Sequence, residues 1–153
     1  MGERIRTVLG NVNSRPLSAF VMVEDDTHMK SVVSQVLAFD DFTDNEDATG
    51  YVDVTAKLPA LAIPLGWKAV VSEGFTGDTT AVMQVGIEGD LDKFSGVATA
   101  SCLAAATVAA PANNDALLSA TEETIRVTVT GGAEFGAITA GAMAVTLYYM
   151  QME

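Results

Sequence analysis

The sequence predicts an all-β domain, an antiparallel β-sandwich or jelly roll with an extended N-terminal arm. Three observations lead there. Short stretches with two-residue alternation recur, the clearest being Ile125-Arg126-Val127-Thr128-Val129-Thr130. Gly- and Asp-containing turn signals separate these stretches at short intervals. No long stretch places apolar residues at helical spacing. About eight short strands divided by turns are the pattern of a sandwich or jelly roll.

Residues 1–16 read as the arm, because Gly10, Asn11, Asn13, Ser14 and Pro16 interrupt any periodicity. Leu17 to Val23 is a short apolar run suited to a first strand. The run Val32 to Ala38 fits a strand or a helical turn, and periodicity does not choose between them. Asp40-Asp41-Phe42-Thr43-Asp44-Asn45-Glu46-Asp47 holds five acids in eight residues, which predicts an exposed loop. Its spacing lacks the central Gly and closing Glu of a helix-flanked calcium loop.

From Gly50 the alternation sharpens, with Val52, Val54 and Ala56 on one side and Tyr51, Asp53 and Thr55 on the other. Pro59 and Pro64 bracket Ala60-Leu61-Ala62-Ile63, which marks that piece as an edge strand or an irregular segment. Gly66-Trp67 then opens a strand with Trp67, Ala69 and Val71 on one face, and Gly74 to Asp78 reads as a turn. Ala81, Met83, Val85 and Ile87 share the face of the next strand, closed by the turn Glu88-Gly89-Asp90. Leu91 and Phe94 resume the apolar signal, and the alanine-rich residues 97–112 read as strand and loop. Gly131-Gly132 ends the strand from Ile125. In the last strand, Ala142 to Met150, Met143, Val145, Leu147 and Tyr149 face one way. Ala144, Thr146, Tyr148 and Met150 face the other, which is apolar for a solvated face and predicts contact on both sides.

A chain of 153 residues, 49% hydrophobic, fills one core and is short for two. The expected division is the arm over 1–16 and a single sandwich domain over 17–153. The formal charge is −12, from 20 acids against 8 basic residues, which argues against binding nucleic acid or an anionic membrane. The arm differs from the body: Arg4, Arg6 and Arg15 stand against Glu3 alone. Such an arm suits docking on an acidic neighbour, and equally a solvated tail. The opening Met-Gly-Glu-Arg has no apolar stretch behind it, so no secretory signal is expected, and no apolar run approaches the roughly 20 residues of a membrane span. The expectation is a soluble protein made in a cytoplasm.

The inventory for catalysis is thin, and neither catalytic residues nor a cofactor or metal is expected. His28, the single histidine, sits in a polar turn, and the single cysteine, Cys102, sits among apolar neighbours without a basic partner. No nucleophile elbow, phosphate loop or dinucleotide fingerprint occurs. Asp78, Glu88, Asp90 and Asp92 would gather around a cation only if their two turns lay at one end of the sandwich; turn chemistry is the simpler reading.

Several signals recur in order: Ile63-Pro64-Leu65-Gly66, Gly74-Phe75-Thr76-Gly77, Val85-Gly86 and Gly89-Asp90-Leu91-Asp92-Lys93-Phe94. Val127-Thr128-Val129-Thr130-Gly131-Gly132 and Thr139-Ala140-Gly141-Ala142 follow. From Leu61 to Met150 this order resembles the small jelly-roll head decoration, or cement, proteins of tailed phages. The resemblance implies a virion structural protein on the outer face of a capsid, with the major capsid protein and its own copies as partners. A homotrimer would bury the face of Tyr148 and Met150, while Arg4, Arg6 and Arg15 would carry arm contacts. The alternatives are a fibre or tail attachment domain that recognises host glycans, and a small cellular carbohydrate- or calcium-binding module.

Overall fold

The computed structural model describes residues 29–96, 100–113 and 118–152. The arm, the run Leu17 to Val23 and His28 lie outside the described residues. In chain order the strands are β1 (Met29–Val33), β2 (Leu37–Ala38), β3 (Thr43–Asp44), β4 (Thr49–Leu58), β5 (Ala62–Thr76) and β6 (Ala81–Gly86). Then come β7 (Ala100–Ser101), β8 (Ala106–Pro111), β9 (Glu123–Gly131) and β10 (Ala140–Gln151). They form two antiparallel sheets. Sheet A has the order β1-β10-β5-β8, with β2 also on β10, and sheet B the order β3-β4-β9-β6-β7.

The pairs β1·β10, β4·β9, β5·β8 and β6·β7 are all antiparallel and nest inside one another in sequence. One long hairpin is therefore rolled up so that successive pairs fall in alternate sheets, which is a jelly roll. The alternation of each strand delivers its apolar set to the space between the sheets. Trp67, Ala69 and Val71 of β5, Ala81, Met83 and Val85 of β6, Ile125, Val127 and Val129 of β9, and Met143, Val145, Leu147 and Tyr149 of β10 are all buried there. At about 1.5–3 kcal/mol for each large side chain, this shared layer is the main source of stability.

Where the chain departs from simple alternation, a long-range contact explains it. Val32 to Ala38 is one edge strand broken by a bulge. Ser34 donates its N–H to the Val145 carbonyl, and its hydroxyl accepts the Val145 N–H at 2.8 Å, so the side chain replaces a missing strand acceptor. The acidic loop exposes its five acidic residues, but Phe42 in their midst is buried. Its ring meets Phe75 edge-on at 5.6 Å and Phe135 at 5.8 Å, anchoring a loop that charge alone would leave loose.

Four expectations need correction. The segment after Pro59 is the start of β5, which opens at Ala62 rather than Gly66 and pairs with β10 throughout. Pro64 is tolerated because β8 reaches only Gly66, so this stretch has a strand on one side alone. Gly74 to Thr76 are strand rather than turn, with Phe75 fully buried, and the turn begins at Gly77, whose φ is 119°. Ala56 is exposed: the β4–β9 register shifts between Asp53 and Lys57, and Leu58 takes the next inward place. Likewise Ala140 to Ala142 belong to β10. Gly141 is needed there, because a Cβ would sit 2.5 Å from the Phe75 ring.

Candidate interaction surfaces

The described residues hold no catalytic constellation. Cys102 is buried, and burial pushes its thiol up to about 12, so it is neither a nucleophile nor a ready ligand at neutral pH. No group of three or more His, Cys, Asp or Glu residues gathers among the described residues. None of their helices is long and apolar enough to cross a membrane.

Asp78 precedes β6, whereas Glu88, Asp90 and Asp92 follow it. The six residues of β6 separate the two turns by about 20 Å, so these carboxylates cannot share a cation. Asp78 serves the backbone instead. Its carboxylate accepts N–H groups from Thr79 at 2.5 Å, Gly132 at 2.6 Å and Ala133 at 3.1 Å. These bonds, that from Ala133 foremost, hold its carboxyl below the usual range. Asp47 is lowered in the same manner, first by the Thr49 hydroxyl and then by the Thr49 N–H.

The outer face of sheet B is polar, and its charges pair within it. Three rows cross it: Thr49–Thr130–Val82–Ser101, Tyr51–Thr128–Gln84 and Asp53–Arg126–Gly86. Arg126 faces Asp53 directly and grips it through Nε at 2.7 Å and Nη2 at 2.9 Å. The guanidinium lies 3.9 Å from the centre of the Tyr51 ring, with Glu88 a further 3.9 Å contact. The hydrogen bond to Asp53 leads the causes that raise the Arg126 pKa. Thr128 points to this outer face as its alternation predicts, yet it is buried, flanked in its row by Tyr51 and Gln84.

The outer face of sheet A is different. Its rows are Ala144–Val70–Thr107, Val33–Thr146–Lys68–Ala109 and Ser31–Tyr148–Gly66–Pro111, with Met150 opposite Ile63 beyond them. No carboxylate occurs in these rows, and Lys68 is their single charge. The first acid is Glu73, at the bulge beyond Ala144. Val33 is 54% exposed, Met150 42% and Val70 38%. Tyr148 is half-buried at the centre. Of the residues singled out from sequence, Tyr148 and Met150 stand on this face, while Arg4, Arg6 and Arg15 lie outside the described residues. The face extends beyond β10 to Val33 and Val70, which pairing alone brings together.

No protein-family model matches the chain, and no curated protein matches it. Among solved structures it is similar to a chain in the capsid asymmetric unit of cyanophage Pam1. Identity is 22% and the TM-score 0.53, over 81% of this chain and 85% of that one. A chain from the capsid of Ralstonia phage GP4 is similar at 19% identity and TM-score 0.46, over 72% and 88%. The crystal structure of FLHE follows at 11% and 0.39, over 80% and 95%. The Pam1 likeness shows the fold: a phage capsid structure contains this sandwich at nearly the same extent. The other two are too distant to carry an argument.

Proposed function

We propose that this chain is a virion structural protein, a decoration or cement protein that binds the major capsid protein on the outer face of a phage head. The observation that carries the reading is the outer face of sheet A, apolar and free of carboxylates in its rows on a chain of charge −12. Two copies that meet through this face bring no carboxylates together. Three copies around an axis would bury Tyr148, Met150, Val33 and Val70, and a lasting contact of this kind exceeds roughly 1,000 Å². The sandwich shared with a phage capsid structure supports the setting. A rigid jelly roll whose polar face pairs its own charges suits a part that holds other parts together. Arg4, Arg6 and Arg15 then supply cationic contacts from the arm to the shell.

The test is composition and endurance of purified particles. The chain is expected to copurify with the shell at a fixed ratio to the major shell protein, and particles stripped of it should release DNA at a lower temperature. Particles that survive heating equally with and without the chain exclude cementing. A few copies per particle would assign it to a fibre or tail instead. Removal of residues 2–15 should weaken rebinding to stripped shells, and undiminished rebinding excludes the arm as a contact.

A further inference from the structure

The edges of the two sheets are not equally protected. Sheet B ends in β3 and β7, two residues each, and the length of β4 that β3 leaves uncovered carries Asp53 and Lys57. The β1/β2 edge of sheet A carries Lys30 and is broken by the bulge at Ser34. β8 is the exception. It has six residues, Ala106-Thr107-Val108-Ala109-Ala110-Pro111, with β5 on one side and no strand on the other among the described residues. From Ser95 to Thr121 the sequence holds one charged residue, Asp115, so none of the usual charges guards this edge.

The register fixes which backbone groups are on offer. The Ala112 N–H donates to the Leu65 carbonyl at 2.9 Å, continuing the ladder in which Pro111 opposes Gly66. Antiparallel pairs alternate, so Ala106, Val108 and Ala110 turn their N–H and C=O groups to β5. Thr107 and Ala109 point theirs outward, and Pro111, at an outward position, gives up no ladder bond. Such a row receives an extended peptide by strand addition.

We propose that the β8 edge takes up Leu17-Ser18-Ala19-Phe20-Val21-Met22-Val23 of a second copy as an added strand. This run is uncharged, is one residue longer than β8, and is bounded by Pro16 and by Glu24-Asp25-Asp26. The copy's own β8 is out of reach. The described chain starts at Met29 on β1, and the vacant place beside β8 is four strand spacings away, about 19 Å. Met29 opposes Met150, which opposes Ile63, three residues beyond the end of β8 at Gly66, adding about 10 Å along the strands. The straight line is thus about 21 Å and runs through β10 and β5. Six steps from Val23 to Met29 span at most about 20–22 Å when fully extended, which leaves no length to pass around the sheet. Exchange between copies is head-to-tail, and it closes a ring or grows a chain according to its rotation.

The inference stands on the domain alone and survives a failure to bind shells. The test uses full-length chains in sedimentation. Phe20→Pro with Val21→Pro disables the donor segment, and Ala109→Pro removes an outward N–H while leaving the β5 ladder intact. Each variant, folded by circular dichroism, is expected to self-associate at least about tenfold more weakly than the parent. Mixing the two should restore association, as one copy of each, because the first keeps its edge and the second its donor. A parent chain that stays single, variants that associate like the parent, or a mixture no tighter than its parts overturns the exchange.

Discussion

The outer faces of the two sheets are built with the same strand periodicity and end in opposite conditions. On sheet B the outward rows hold Thr49, Thr128, Thr130, Ser101, Gln84, Tyr51 and the Asp53–Arg126 pair, with Val82 and Gly86 between them, and Arg126 is held on a ring between carboxylates. Its charged groups find partners within the face, whereas the buried Thr128 hydroxyl has none among the described residues. On sheet A Val, Ala, Ile, Tyr and Met make up about half of the outward positions, Thr107, Thr146 and Ser31 are neutral polar ones, and Lys68 alone is charged in the rows from Ala144 to Met150. Nothing among the described residues covers them. Inward alternation decides the fold, which both sheets serve alike. Outward alternation decides whether a face is complete in itself or completed by another molecule.

The largest effect expected from this contrast is on assembly. Val70→Glu with Tyr148→Glu places two carboxylates in the uncharged rows of sheet A and should weaken self-association in sedimentation, leaving only what the β8 edge supplies. Val82→Glu with Gln84→Glu adds the same charge to sheet B and should leave the mass unchanged. Equal dissociation by both pairs would mean that net charge governs association, and the distinction between the faces would fail. Surface changes of this kind alter the stability of the chain itself by only about 0.5 kcal/mol.

Much of this was legible from local pattern. Ile125 to Thr130, the inward set of β10, the turn at Gly89 and the apolar outward side of Tyr148 and Met150 needed no partner strand to be read. What stayed hidden depends on register. Pro64 sits within β5 because β8 stops at Gly66, which no window around Pro64 reveals. Thr128 is buried on an outward side because β4 and β6 set Tyr51 and Gln84 beside it. Ser34 breaks an edge strand because its hydroxyl meets Val145, 111 residues later. Val33, Val70 and Tyr148 likewise form one face only through the pairings with β10. The separation of Asp78 from Glu88 by β6, in contrast, follows from strand length, and it removes the cation site.

A smaller effect tests the self-sufficiency of sheet B. Arg126→Ala removes the bidentate bond to Asp53 and the stacking on Tyr51, and leaves Asp53 opposite an empty position. With Asp53 partly in water, the expected loss is about 1–2 kcal/mol in denaturant unfolding, with no change in assembly. Arg126→Lys keeps the charge but not the fork, and should recover only part of the loss. No loss on Arg126→Ala would show that the face is merely solvated.

The smallest effect concerns the place where the two sheets are tied. Asp78 lies on the crossing from β5 to β6 and holds the N–H groups of Gly132 and Ala133 on the crossing from β9 to β10. Its folded-state pKa is depressed below the ordinary 3.8, so its contribution is full above that value and is lost as pH falls through the folded pKa. Asp78→Asn should therefore lower the melting temperature at neutral pH, and its curve should converge on the parent's in the acid range below about pH 4. Asp47, also depressed, loses its contribution in the same range, so the parent retains an acid-dependent step that the variant only reduces. A gap between the two chains that persists unchanged into strong acid would mean that the carboxylate's charge plays no part in joining the sheets.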